Sequence, residues 1–155
     1  MTEENTIFKS SLNKAMHLCS RREYCISDIK NKLQTWGINE SESDKIISVL
    51  KKENFINEMR YSEAYVKDKY NQNKWGKIKI KSRLKMKSIP SDLIEKALEY
   101  INEDTYIQRL RDILAERKKN IKAKNRYEMK GKLYRYGMSK GFESSLLTDI
   151  LDDIV

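Results

Sequence analysis

Apolar positions recur at helical spacing along the chain, and the pattern they make is itself repeated. Ile29 and Leu33 are four apart, on one helix face, and Ile46, Ile47 and Leu50 follow as an i, i+1, i+4 stripe. The block Ile29-Lys30-Asn31-Lys32-Leu33, ending at Trp36-Gly37-Ile38, returns 51 residues later as Ile80-Lys81-Ser82-Arg83-Leu84, ending at Ser88-Ile89. It returns 49 residues further on as Met129-Lys130-Gly131-Lys132-Leu133, ending at Tyr136-Gly137-Met138. Continued without a gap, the match aligns Ile46 with Ala97 and Leu146, Ile47 with Leu98 and Leu147, and Leu50 with Ile101 and Ile150. Upstream of each copy lies another amphipathic stretch: Leu12, Ala15, Met16 and Cys19; then Tyr61, Ala64, Tyr65 and Val66; then Tyr106, Leu110, Ile113 and Leu114.

Each copy is therefore three helices. The chain is predicted to be all-α, a tandem array of three three-helix repeats: residues 10–53, 54–102 and 103–155, after an N-terminal tail of residues 1–9. Units of this size are near the lower limit for burying a core, so neighbours should lean on one another in an elongated, curved array. The joints fall near Asn54-Phe55-Ile56-Asn57 and Asn102-Glu103-Asp104. Gly37 and Gly137 suit a left-handed helix end; Ser88 takes that place in the second copy, and Pro90 stops the helix. The segment Lys77–Lys87 alternates like a strand. Its alignment with two non-alternating copies argues for helix instead, with Trp75-Gly76 as the hinge before it and Ile78 and Met86 flanking the buried stripe.

Composition agrees with helices bearing wide solvated faces. Of 155 residues, 39% are hydrophobic and 35% charged, with five glycines and one proline, too few for a turn-rich sandwich or barrel. No apolar run could span a membrane, the acidic, polar start is unlike a signal peptide, and two cysteines cannot build a disulfide scaffold; a cytoplasmic protein is expected. The net charge is +9, and it clusters: seven basic residues and no acid from Lys74 to Lys87, nine and one acid from Arg117 to Arg135. Clustered positive charge favours a polyanionic or acidic partner.

Catalysis is poorly supplied. His17 is the only histidine, which rules out a metal site with two imidazoles, and Cys19 and Cys25 lack metal spacing and read as buried or half-buried thiols. No phosphate-cradling glycine loop occurs. No enzyme activity, cofactor or metal is expected. Binding is better supplied, because Lys30 and Lys32, Lys81 and Arg83, and Lys130 and Lys132 recur in all three copies. Residues two apart diverge by roughly 200° on a helix, so each pair flanks the buried stripe as a basic collar. Among nine tyrosines, Tyr61, Tyr65 and Tyr106 fall on apolar stripes, whereas Tyr134 and Tyr136 interleave with Lys132 and Arg135, so at least one of these two should be exposed.

These residues also resemble the RecX family of regulators of the RecA recombinase. The likeness runs from Ala15-Met16-His17-Leu18-Cys19-Ser20-Arg21-Arg22-Glu23-Tyr24 through Asp28–Leu33 and Gly37-Ile38. It continues in Phe55–Ala64, then in Trp75-Gly76 leading to Ile80–Leu84 and Ile89, and covers roughly residues 12–152. Two positions depart: Asn57-Glu58 stands for the usual acidic pair, which is expected to weaken a helix cap or partner contact, and Ser88 stands for glycine. The resemblance implies a non-enzymatic modulator lying along the groove of the RecA–single-stranded DNA filament and bridging neighbouring RecA subunits; a monomer is expected. It would limit filament growth, ATPase, strand exchange and coprotease activity. By position and charge, the contact candidates are Arg21, Arg22, Lys30, Lys32, Lys77, Lys79, Lys81, Arg83, Lys130, Lys132 and Arg135. A helix-turn-helix-like protein acting directly on single- or double-stranded DNA is the second reading, and an adaptor for another acidic protein the third.

Overall fold

The computed structural model describes residues 3–155, the Glu4 side chain excepted. The described residues form nine helices and no strand: α1 (Glu3–Arg21), α2 (Ile26–Thr35), α3 (Glu40–Lys52), α4 (Glu58–Asn71), α5 (Lys77–Met86), α6 (Ser91–Leu98), α7 (Glu103–Lys119), α8 (Arg126–Lys140) and α9 (Ser144–Ile154). The alternating segment is helix α5, with Ile78 and Met86 exposed. Residues 3–9, assigned to a tail, begin α1, and Phe8 packs half-buried on the core; residues 1 and 2 lie outside the described residues.

The chain divides into two compact units, one running to Tyr65 together with Leu84–Ile94, the other comprising Val66–Arg83 and Glu95–Val155. The first is centred on Ala15, Ile29, Leu33, Ile46 and Leu50. In the second, Val66, Ile80, Tyr106, Leu110, Leu114, Leu133, Phe142 and Leu147 are fully buried. In α4 the buried side is Tyr61, Ser62, Val66 and Tyr70 with Tyr65 half-buried; Ala64 is exposed, since the stripe runs i, i+1, i+5 and passes beside it.

The middle helices α2, α5 and α8 start in register with the sequence repeat, but α8 is one turn longer than the ungapped alignment requires. Gly37 and Ser88 adopt φ +83° and +61°, as expected of helix ends, whereas Gly137 lies inside α8 and the left-handed residue is Gly141, φ +93°. The same pair of closing bonds identifies the equivalent positions: Gly37 N to Gln34 O and Ile38 N to Leu33 O; Ser88 N to Lys85 O and Ile89 N to Leu84 O; Gly141 N to Met138 O and Phe142 N to Gly137 O. Ile38, Ile89 and Phe142 are thus counterparts, and all are buried. The last helix shifts accordingly: Ile46, Ala97 and Ile150 correspond, as do Ile47, Leu98 and Leu151. Leu146, placed in the stripe by the ungapped match, is only half-buried. Gly137 is glycine for packing, because a Cβ there would run into the Leu147 side chain.

The helix starts show how neighbouring repeats depend on each other. The residue before α2 is Cys25, which makes no side-chain cap bond, and before α5 it is Gly76, which has no side chain. The first helix of the following repeat supplies a partner. Glu58 of α4 accepts from Ile26 N at 3.2 Å, and Tyr61 is buried beside Cys25. At α5 the backbone amide is met by tyrosine instead: the Tyr106 hydroxyl of α7 accepts from Lys77 N at 3.0 Å and donates to Glu143 at 2.7 Å, while Glu103 accepts from the Lys77 side chain, Nζ, at 2.7 Å. The shared pattern is Asn-Glu-x-x-Tyr, residues 57–61 and 102–106. Its asparagines cap their own helices, accepting from Arg60 N and Thr105 N. Asn57 thus does not weaken the cap. The α8 start closes itself, with Asn125 accepting from Glu128 N and Glu128 accepting from Lys124 N.

Residues 76–78 and 140–141 also meet backbone to backbone, Gly76 N donating to Lys140 O at 2.7 Å and Ile78 N to Gly141 O at 3.0 Å. A Cβ on Gly76 would lie 2.6 Å from Phe142 N, too close for any side chain. Gly76→Ala should therefore lower unfolding stability by about 2–3 kcal/mol. Ser88→Gly, which relieves a left-handed non-glycine residue, should raise it by about 1 kcal/mol. Urea denaturation of the two variants checks both signs.

Candidate functional site

The structure sorts the basic residues picked from the sequence into paired and unpaired sets. One lysine per repeat joins the middle helix to the last: Lys30 to Asp44 at 3.7 Å, Lys81 to Glu95 at 2.5 Å and Lys130 to Asp152 at 2.9 Å. The third acid lies one turn further along, matching the extra turn of α8. All three pairs are solvent-screened and contribute little stability. Lys77 pairs with Glu103, and Lys132 with Glu128 at 3.1 Å while also donating to Lys122 O. The collars are therefore not uniformly free charge.

The other candidates gather on aromatic rings. In the first repeat Arg22 and Lys32 lie 4.4 and 5.7 Å from the centroid of Tyr24, with Arg21 exposed nearby in sequence. In the second, Trp75 occupies the position equivalent to Tyr24. Three cations lie over it: Lys79 at 4.5 Å, Lys69 at 5.1 Å and Arg83 at 5.7 Å. Such contacts hold cations at defined places without neutralising them. The spacing Tyr24/Lys32 is the spacing Trp75/Arg83, so the repeat extends five residues upstream of Ile29 and Ile80 to include this device, and Trp75 is more than the hinge expected of it. Arg135 is exposed. Against expectation, Tyr134 and Tyr136 are both half-buried: Tyr134 Oη lies 2.7 Å from Ser144 Oγ, and Arg117 covers Tyr136 at 4.6 Å.

Positive charge is concentrated around Trp75. Lys79 donates to Ser139 O and Lys140 to Asn73 O at 2.8 Å. Among the described residues Lys74, Lys79, Arg83 and Lys140 form no ion pair. Helix α5 has no acid in its first turn to offset its positive end. The Lys140 amine is held below the usual lysine range, first by burial and then by repulsion from Lys79 and Lys74. Gly76, Lys77 and Ile78 already donate their amides within the protein, so an incoming anion would meet side chains alone. The arrangement suits repeated, sequence-neutral contact with phosphates or carboxylates.

Other chemistry is sparse. His17 is exposed, while Cys19 and Cys25 are buried free thiols, and burial pushes the Cys19 pKa up to about 11. Among the described residues no three His, Cys, Asp or Glu side chains gather as a metal site, and no helix is long and apolar enough to cross a membrane.

Fold and surface together define an all-helical repeat protein with a basic surface arranged on aromatic rings. The sequence model of the second three-helix domain of RecX matches residues 57–98. Regulatory protein RecX of Clostridium beijerinckii is 30% identical over 155 residues, covering 98% of this chain and 71% of that protein. Regulatory protein RecX of Haemophilus influenzae is 29% identical over 142 residues, covering 91% and 92%. Crystallised RecX from Lactobacillus salivarius has the same fold, with a TM-score of 0.78 at 24% identity over 97% of both chains. The chain belongs to the RecX family of regulatory proteins.

If like-charge crowding depresses Lys140, removing one neighbour must relieve it. In Lys79→Met the Lys140 titration midpoint should move back up toward that of a free lysine, read by NMR of isotope-labelled lysine side chains. Lys30→Met should leave it unmoved.

Proposed function

We propose that this protein binds the RecA–single-stranded DNA filament and restrains its growth, and with it ATPase, strand exchange and coprotease activity. Family membership over nearly the whole chain is the observation that carries this reading. It acts by binding rather than catalysis, as a cytoplasmic monomer serving recombinational DNA repair and the damage response. The unpaired cations around Trp75, together with Arg21, Arg22 and Arg135, are its contact residues of choice. Those in intramolecular pairs (Lys30, Lys77, Lys81, Lys130 and Lys132) must break an ion pair before meeting a partner.

The Trp75 cluster also favours a second reading, direct binding to DNA through phosphates. Titrating the protein into RecA's single-stranded-DNA-dependent ATPase separates the two. Inhibition well below one protein per RecA, surviving excess DNA, supports action on the filament. Inhibition only near saturation of the DNA, abolished by more DNA and falling with salt by about 0.9 in log–log slope per phosphate contacted, supports the second. Lys79→Glu with Arg83→Glu should weaken either effect strongly, and Lys30→Glu much less, with helical content unchanged by circular dichroism.

A further inference from the structure

The outer face of the middle helix differs among the three repeats at equivalent positions. It carries Ser27, Asn31 and Gln34 on α2, Ile78, Ser82 and Lys85 on α5, and Tyr127, Gly131 and Tyr134 on α8. In the first repeat the groove between middle and last helix is lined by polar groups, Asn31 and Gln34 among them. The corresponding groove in the third repeat, about 590 Å³, is lined by Tyr127, Gly131, Tyr134, Arg135, Thr148 and Leu151. Tyr127 is 87% exposed, the most exposed large apolar side chain described.

Gly131 has no internal reason to be glycine. It sits inside a helix, where glycine is less stable than alanine by roughly 0.5–1 kcal/mol. A Cβ there would meet only the Arg135 side chain, at an ordinary 3.6 Å. Gly137 and Gly76 are required by the protein's own packing; Gly131 leaves an open floor between two tyrosines. A glycine floor admits close approach of another backbone, and tyrosines beside it are the rigid amphipathic anchors that interfaces favour. From Tyr127 to Tyr134 the face runs about 10 Å, or two helical turns.

We infer that the Tyr127–Gly131–Tyr134 face is a docking groove for an acid-flanked amphipathic helix of a RecA subunit; this rests on the function proposed above. Charge complementarity sets the flank: the two acids that line the groove, Glu128 and Asp152, are paired with Lys132 and Lys130, while Arg135 lines it unpaired among the described residues and Arg126 is exposed beside it. Two unpaired arginines beside an apolar floor suit a protein helix with a few carboxylates. They do not suit a nucleic-acid strand, which needs a succession of cations.

The test gives the third repeat the face of the first, in the variant Tyr127→Ser, Gly131→Asn, Tyr134→Gln; these side chains already fit a folded α2. Gly131→Leu, which fills the floor, is the second variant. Binding is measured by anisotropy of the labelled protein against RecA filaments on poly(dT), and against poly(dT) alone, with helical content checked by circular dichroism. Expected is a rise in filament Kd of about tenfold or more for both variants, with poly(dT) binding unchanged. Filament affinity equal to the parent's overturns the groove while leaving the filament reading intact. Equal losses on bare poly(dT) overturn it in favour of nucleic acid. A parent protein that does not bind the filament at all overturns both.

Discussion

The structure depends on how the exposed amide end of each middle helix is closed. A helix leaves its first backbone amides without partners, and burying them uncapped is costly. Cys25 and Gly76 offer no side-chain cap, so the amide end of α2 is met by Glu58 of α4, and that of α5 by the Tyr106 hydroxyl of α7 together with the Gly141 carbonyl after α8. Burial pushes both tyrosine hydroxyls well above the usual phenol range, and it pushes the Glu58 carboxyl up as well, in keeping with groups withdrawn from water at these junctions. The helix with no later Asn-Glu-x-x-Tyr after it, α8, carries its own Asn125–Glu128 cap. In repeat proteins stability resides as much in such nearest-neighbour contacts as in the units themselves.

The extra turn of α8 follows from the same economy of contacts. Lengthening the helix carries its left-handed end from the position of Gly137 to Gly141, where two glycines let residues 76–78 and 140–141 pair through the backbone. Gly137 is then free to accept Leu147 against its bare α-carbon. One inserted turn keeps every side chain within about 40° of its former face, so the α8 stripe survives while its partner stripe on α9 slides by four residues.

Electrostatics separates scaffold from surface. Lysines at equivalent positions in the three repeats bridge the middle and last helices, each beside an acid of its own repeat. Arg22 and Lys32 on Tyr24, and Lys79 and Arg83 on Trp75, form no ion pair among the described residues, and there an aromatic face orients charge without cancelling it. The Lys140 amine beside them is held below the usual lysine range, first by burial and then by repulsion from Lys79 and Lys74.

The all-α class, the triple repeat and most buried positions were legible in the sequence, because helical periodicity is local and three copies in register reinforce one another. Ile29/Leu33, Ile80/Leu84 and the helical reading of α5 followed from that alone. The one-turn insertion was not legible, since Leu146, Leu147, Ile150 and Leu151 present a plausible apolar stripe in either register; only the closing bonds at Gly141 and Phe142 choose between them. Nor could the sequence say which of Lys30, Lys32, Lys81 and Arg83 are neutralised. Their acidic and aromatic partners are eight to fourteen residues away or more, and a contact at that separation depends on where the next helix packs. Local spacing determined what the chain folds into; tertiary packing decided which of its charges remain available, because pairing requires proximity in space.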